Sequence, residues 1–229
     1  MKRLVLTLFA FVLMSGMTFA QNNETMVTQV GADHETDIEQ VGKSNGAFVN
    51  QNANESPDNA TADIKQSGEG NLVRLQQVSF FSESNAEITQ LGDGNKVHGQ
   101  TESEAFLQSN GGGLVDVLMD GDNNTLYSER GEAQKNGNEF LLDITGNDNE
   151  VGVAQEFATA DVDITGDLND VSLEQYAGAN WSQADYNSAT VGITGSSNLV
   201  DITQNGIKNS SNVSITGSSN TTRISQASN

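Results

Sequence analysis

The feature that most constrains this chain is a recurring seven-residue pattern in which Asn, two mostly apolar residues and Gln occupy alternate positions. It is clearest from Asn198 to Gln204, and it recurs from Asn45, Asn71, Asn149, Asn169 and Asn220. Side chains two residues apart lie on the same face of a β-strand. The pattern therefore predicts strands with an inward face of fixed chemistry. It excludes a helix, because the apolar spacing is two rather than three or four.

Each of these strands follows a partner strand that ends in a glycine turn. The paired strands begin at 34 and 45, 60 and 71, 84 and 95, 113 and 124, 138 and 149, 158 and 169, 187 and 198, and 209 and 220, so the offset within a pair is always 11. The connections between pairs vary in length. A fixed offset within pairs indicates a two-strand rung closed by one tight arc.

A lone rung cannot bury its inward face, so the rungs are expected to stack about 4.8 Å apart. The prediction is an all-β fold: a β-solenoid of about eight and a half rungs with an amyloid-like core over residues 21–229. The half-rung spans 23–29, and the full rungs span 34–51, 60–77, 84–101, 113–130, 138–155, 158–175, 187–204 and 209–226.

Stacking places like side chains above one another, so an inward amide in one rung can bond to the amide at the same position in the next rung. An unpaired buried amide costs roughly 1–3 kcal/mol, so inward amides must form continuous ladders. The predicted self-assembly ladder residues are Asn45, Gln51, Gln66, Asn71, Gln77, Gln90, Asn95, Asn149, Gln155, Asn169, Gln175, Asn187, Ile193, Asn198, Gln204, Asn209, Ile215, Asn220 and Gln226. The predicted arc glycines are Gly31, Gly42, Gly68, Gly92, Gly121, Gly146, Gly166, Gly195 and Gly217.

The middle of the chain departs from the pattern. Gly113 occupies an Asn slot and Arg130 a Gln slot, while Gly99 and Thr101 stand where an apolar residue and Gln belong. These departures predict a less stable middle.

Residues Met1–Ala20 have the layout of a secretory signal peptide. Lys2 and Arg3 precede an apolar run that is shorter than the about 20 residues a membrane span needs. We therefore expect a secreted mature chain that begins at Gln21. The formal charge of −21 excludes a basic nucleic-acid footprint, and the absence of cysteine excludes disulfides.

The repeat resembles the curlin repeat, Ser-x5-Gln-x-Gly-x-Gly-Asn-x-Ala-x3-Gln. Ser84 to Asn95 is the closest copy, and Ala60 to Asn71 nearly matches. The resemblance implies a subunit of curli, the functional amyloid fibre of Gram-negative bacterial surfaces, which serves adhesion and biofilm matrix. It implies further copies of the chain, a nucleating subunit and an outer-membrane secretion channel as partners. It implies no enzymatic activity and no cofactor.

Alternatives remain within the same fold. The chain could be the minor, nucleating curli subunit. It could instead be a monomeric solenoid adhesin, or bind ice or glycan through outward Thr145, Thr165, Thr194 and Thr216. The arc from Asp120 to Asn124 resembles a calcium loop in composition only, since turns themselves favour Asp and Asn.

Both ends of the predicted solenoid are repeat strands, which leaves unpaired backbone groups at each edge. Acidic residues crowd the first rungs, whereas Lys208 and Arg223 follow the last acid, Asp201. We expect the weakly basic C-terminal end of one copy to dock on the acidic N-terminal end of the next.

Overall fold

The computed structural model describes residues 22–53, 60–79, 84–109, 113–131, 133–135, 139–177 and 186–228. The predicted signal peptide lies outside the described residues, as do Pro57 and Trp181 in two of the connections. All regular elements in the described ranges are β-strands. They are β1 (Glu24–Val30), β2 (Glu35–Lys43), β3 (Gly46–Ala53), β4 (Ala60–Glu69), β5 (Leu72–Ser79), β6 (Ser84–Leu91), β7 (Lys96–His98), β8 (Phe106–Ser109), β9 (Gly113–Asp120), β10 (Thr125–Ser128), β11 (Gln134–Lys135), β12 (Glu139–Phe140), β13 (Asp143–Thr145), β14 (Glu150–Glu156), β15 (Ala158–Thr165), β16 (Asp170–Tyr176), β17 (Asn187–Thr194), β18 (Leu199–Asn205), β19 (Ser210–Thr216) and β20 (Thr221–Ala227).

The strands alternate between two parallel sheets. Sheet A runs in the order β1-β3-β5-β7-β10-β14-β16-β18-β20, and β8 and β11 complete the layers of β7 and β10. Sheet B runs in the order β2-β4-β6-β9-β12-β15-β17-β19, and β13 completes the layer of β12. The predicted all-β solenoid is confirmed.

The inward faces of the two sheets form one continuous core. Strand β17 shows the reason, because Ala189, Val191 and Ile193 are buried while Ser188 is exposed. Equivalent positions in neighbouring layers pair directly, as Val191 does with Val162 and Val213. The alternation in the sequence therefore becomes columns of apolar side chains along the stacking direction.

The rung count differs slightly from the prediction. The described strands make nine layers in sheet A and eight in sheet B, but three middle rungs each contain an interrupted strand, so fewer turns are unbroken than predicted. The second strand of the 84–101 rung ends at His98, and the chain leaves the sheet before it returns as β8. There Phe106 and Gln108 pair with Leu75 and Gln77.

The predicted end of that rung at Thr101 is therefore wrong, and so is the end of the next rung at Arg130. Phe106 and Gln108 supply the apolar and amide side chains that Gly99 and Thr101 lack. Likewise Gln134 takes the register position between Gln108 and Gln155. Arg130 instead forms a 2.6 Å ion pair with Glu174 on the outer face of sheet A.

The arc from each sheet B strand to the next sheet A strand requires glycine for two reasons. Gly166 has a φ of 130°, which residues with a Cβ rarely adopt. A Cβ on Gly166 would also overlap the backbone carbonyl oxygen of Gly195 in the next layer. Both constraints recur at Gly42, Gly68, Gly92, Gly121, Gly146 and Gly195.

Gly31 does not belong to this column, although the sequence places it there. It follows β1, which pairs with β3 in sheet A, so Gly31 lies at the opposite corner of the solenoid. The half-rung therefore belongs to sheet A. Its glycine has a φ of 124°, like the arc glycines, but it does not stack in their column.

Gly166→Ala should lower the free energy of unfolding by at least ~3 kcal/mol, because it combines backbone strain with a backbone overlap. Gly70→Ala is the matched control. Its φ of 74° is also strained, but a Cβ there meets nothing within 4 Å, so a loss of about 1 kcal/mol is expected. Urea unfolding of both variants tests this, and equal losses would contradict the stacking argument.

Candidate self-assembly core

The inward Asn residues of sheet A form one column through all its layers. In each step the backbone N–H of an Asn donates to the side-chain Oδ1 of the Asn one layer earlier, at 2.9–3.1 Å. The column is Asn23, Asn45, Asn71, Asn95, Asn124, Asn149, Asn169, Asn198 and Asn220. The predicted Asn residues of sheet A thus lie in line, together with Asn23 and Asn124.

From Asn95 to Asn220 the side-chain amides of this column also bond to one another at 2.9–3.1 Å, and the column makes further bonds to the backbone. Asn149 Oδ1 accepts the backbone N–H of Asn169, and Asn149 Nδ2 donates to the carbonyl of Gly166 at 2.8 Å. The glycine arc and the Asn column therefore support each other. An Asn side chain fits both bonds because it carries an acceptor and a donor on one short stem.

The Gln residues form side-chain ladders as well. On sheet A, Nε2 of each Gln donates to Oε1 of the Gln in the following layer, at 2.5–3.0 Å. The bonded members are Gln29, Gln51, Gln77 and Gln108, and then Gln155, Gln175, Gln204 and Gln226. All these bonds run in one direction, so the solenoid is polar along its axis.

Sheet B has a shorter amide ladder. Gln40 donates to Gln66 and Gln66 to Gln90, each at 2.8 Å. The next layer places Met119 against Gln90, and Ile144, Ile164, Ile193 and Ile215 follow in register. Buried isoleucines need no hydrogen-bond partner, so the predicted ladder residues Ile193 and Ile215 continue this column by apolar packing instead of amide bonds.

The Asn slots of sheet B are filled irregularly. Asn187 and Asn209 bond to each other, since the backbone N–H of Asn209 donates to Asn187 Oδ1 at 3.0 Å. At the other end, His34 Nδ1 accepts the backbone N–H of Ala60 at 3.1 Å. His34 thus takes the role of an Asn oxygen.

One further ladder escaped the sequence analysis. The residue after each arc glycine donates its backbone N–H to a side-chain oxygen one layer later, at 2.7–2.8 Å for the four steps from Glu69 through Asp93, Asp122 and Asn147 to Asp167. Turn preference alone accounts for an Asp in one arc, such as Asp122, but not for its recurrence. The signal was the repetition of Asp and Asn at one place in successive arcs.

The outer face of sheet B carries stacked carboxylates. Asp143 pairs in register with Asp163, and Asp116 and Asp161 lie close by. Partial burial, and to a smaller extent repulsion from these neighbouring carboxylates, raises the pKa of Asp143. Burial and the charge of Asp201 likewise raise the pKa of Asp170 on sheet A.

The outward threonines also form a column, because Thr145, Thr165, Thr194 and Thr216 pair in register. Asp122, in the arc that resembles a calcium loop, accepts the backbone N–H of Asp93 at 2.8 Å. Across the described residues, no cluster of three or more His, Asp or Glu side chains is suited to a metal ion. In the same ranges, no helix has the length and apolarity to span a membrane.

Parallel layers with identical inward amides define a two-sheet β-solenoid of the cross-β kind. Residues 195–227 match the family model described as the curlin associated repeat. The resemblance seen in the sequence is thereby confirmed for this part of the chain, and the repeat and the fold together fit a structural subunit of the curli type. The chain matches no curated protein and no solved structure.

Asn149→Ala should destabilise the fold by about 3 kcal/mol or more, because it leaves the buried backbone N–H of Asn169 and the partly buried carbonyl of Gly166 without their partners. Asn212→Ala, on the exposed outer face of β19, should change stability by less than about 0.5 kcal/mol. Urea midpoints compare the two. A mild effect of Asn149→Ala would mean that the column is not a structural requirement.

Acid should stabilise the folded chain through Asp143 and Asp170. Their folded pKa values are raised above the unfolded value of about 3.9. Their stabilising contribution is therefore fully present below pH ~3.9 and is lost as the pH rises through the folded pKa.

Asp143→Asn should accordingly raise the unfolding midpoint at pH 7 and reduce the gain seen on acidification to pH 4. Glu139→Gln, an exposed carboxylate of the same sheet B layer, serves as the control. Thermal unfolding at the two pH values provides the measurement. A variant whose midpoint depends on pH as strongly as the parent's would refute the assignment.

Proposed function

We propose that the chain is a secreted structural subunit that assembles end to end into extracellular fibres of the curli type. The observation that carries this proposal is that, among the described residues, none covers the inward columns at the first and last layers. Val27 of β1 is 42% exposed, whereas Val49, its partner one layer further in, is 3% exposed. At the other end Ile224 is only partly buried, while Ile202 beneath it is fully buried.

The polar columns are equally unfinished. Asn23 Nδ2 is buried and finds no acceptor among the described residues. From Asn124 onward the corresponding Nδ2, such as that of Asn149, donates to Oδ1 of the preceding Asn at 2.9 Å. An Asn supplied by another copy would complete the column, which supports a second copy of the chain as the partner.

The backbone edge of β20 supports the same reading of this surface. Ser228 N donates to Asn205 O, and Asn220 O accepts from Leu199 N, so the even-numbered residues of β20 face β18. The odd-numbered residues, including Ser225, therefore direct N–H and C=O groups toward the open edge. Free groups of this kind form a template for another strand.

The remaining parts of the proposal follow from the curlin repeat. The fibre would lie outside a bacterial cell, serve surface adhesion and biofilm matrix, and start from a nucleating subunit after export through an outer-membrane channel. These roles agree with the predicted signal peptide at Met1–Ala20 and with a formal charge of −21, which keeps the unassembled chain soluble.

Purified mature protein should form filaments that bind thioflavin T and give a fibre reflection near 4.7 Å. Ser225→Pro should slow elongation at least about tenfold, because proline removes an edge N–H without loss of a bond to β18. Ser225→Ala is the matched control and should elongate like the parent. Protein that remains monomeric and folded at high concentration would exclude the subunit role and favour a monomeric binder.

A further inference from the structure

The two ends of the described solenoid are stepped rather than flat. Among the described strands, sheet A has nine layers and sheet B has eight. The layers of the two sheets are staggered by half a step, because Gln51 Nε2 lies 3.1 Å from both Glu35 O in β2 and Ala60 O in β4. Thus β1 protrudes at the N-terminal end and β20 at the C-terminal end.

This step decides how two copies fit together. If the next copy keeps the same orientation, β1 stacks on β20 in sheet A. The next strand of sheet B then lies two layers beyond β19, about 9.6 Å away instead of about 4.8 Å. One layer of sheet B is then missing at the junction. The backbone groups of β19 and of the next copy's β2 that face this gap lack partners. If the next copy is turned by half a turn about the axis, β1 fits beside β20 and stacks on β19, while β2 stacks on β20.

We propose that successive subunits are related by this half-turn, so that residues 23–40 of one copy stack on residues 209–226 of the copy before it. The inference rests on the proposed end-to-end assembly and specifies its symmetry. Its register follows from the offset between the two segments, which is constant across both strands and the arc. It places Asn23 on Asn209, Thr25 on Ser211, Val27 on Val213, Thr36 on Thr222, Ile38 on Ile224 and Gln40 on Gln226.

The arcs provide an independent match. The half-turn places Gly31 over Gly217, which have φ values of 124° and 118°. It also places Asp33 over Ser219, both with a φ of 60°. A Cβ on Gly217 meets only Asn220 Nδ2 at 3.6 Å, whereas the preceding arc glycines approach a carbonyl of the next layer. Gly31 of the next copy would restore that approach, while the unrotated junction would place it over Ser228.

Charge fits the same junction. The half-turn places Arg223 beside Asp37, whereas the unrotated junction places it beside Met26. One inward pair is unlike, because Gln29 would follow Ile215. The chain already contains such a change in sheet B, where Met119 pairs with Gln90.

Cysteine cross-linking distinguishes the two junctions, since the natural chain contains no cysteine. Thr28, Ser214 and Ser225 all lie on outward, exposed positions of terminal strands. The half-turn pairs Thr28 with Ser214, and the unrotated junction pairs Thr28 with Ser225. Neighbouring strands bring Cα atoms within the 4.4–6.8 Å span of a disulfide.

Fibres of the mature protein carrying Thr28→Cys with Ser214→Cys should oxidise to a ladder of disulfide-linked oligomers on non-reducing denaturing gels. Fibres carrying Thr28→Cys with Ser225→Cys should yield at least about tenfold fewer cross-links. The reverse preference, equal cross-linking of the two pairs, or fibres with neither cross-link would overturn the half-turn while leaving end-to-end assembly intact. Failure of the parent to form fibres would overturn both.

Discussion

The hydrogen bond from each Asn backbone N–H to the side chain of the Asn one layer earlier is the constraint on which the rest of the structure depends. It requires the same residue at the same place in successive layers, which fixes the register of sheet A. The Asn side chain also holds the glycine carbonyl of the next arc, so strand and turn are specified together. A chain with few aromatic residues can form an ordered core in this way, because repetition replaces the varied packing of an ordinary globular protein.

Much of this was accessible from the sequence because the repeat makes a three-dimensional relationship linear. Residues that stack, such as Asn169 and Asn198, occupy equivalent positions in successive pairs, and the period of two identifies which side chains point inward. The interrupted middle was not accessible by the same means. A constant offset places Gly99 and Thr101 in the inward slots. It cannot predict at which residue a chain that leaves the sheet will return to it. The returning residues Phe106 and Gln108 do carry the apolar-x-Gln pattern, displaced by seven positions from that prediction.

Other details depend on geometry that spacing does not contain. The sequence cannot tell that Gly31 closes the opposite corner, since its spacing from the preceding Asn is the same as in the arcs of the other column. It also could not show that the Asn oxygens accept backbone N–H groups as well as side-chain amides, whereas each bond of the Gln ladders joins two side-chain amides. The Asn side chain is one methylene shorter than Gln, which keeps its oxygen within reach of the backbone of the next layer.

Parity links these details to the form of an assembly. Each strand reverses the chain direction and changes sheet, so a stack with an even number of strands ends ready for a copy in the same orientation. A stack with an odd number ends ready for a copy turned by half a turn. Either orientation offers β20 a parallel strand, but only the half-turn also covers the open edge of β19, so the choice depends on the layer of sheet B that would otherwise be missing. Gly31 follows Asn23 at the same spacing as Gly217 follows Asn209. This match allows the first strand pair of one copy to stack, residue for residue, on the last strand pair of another.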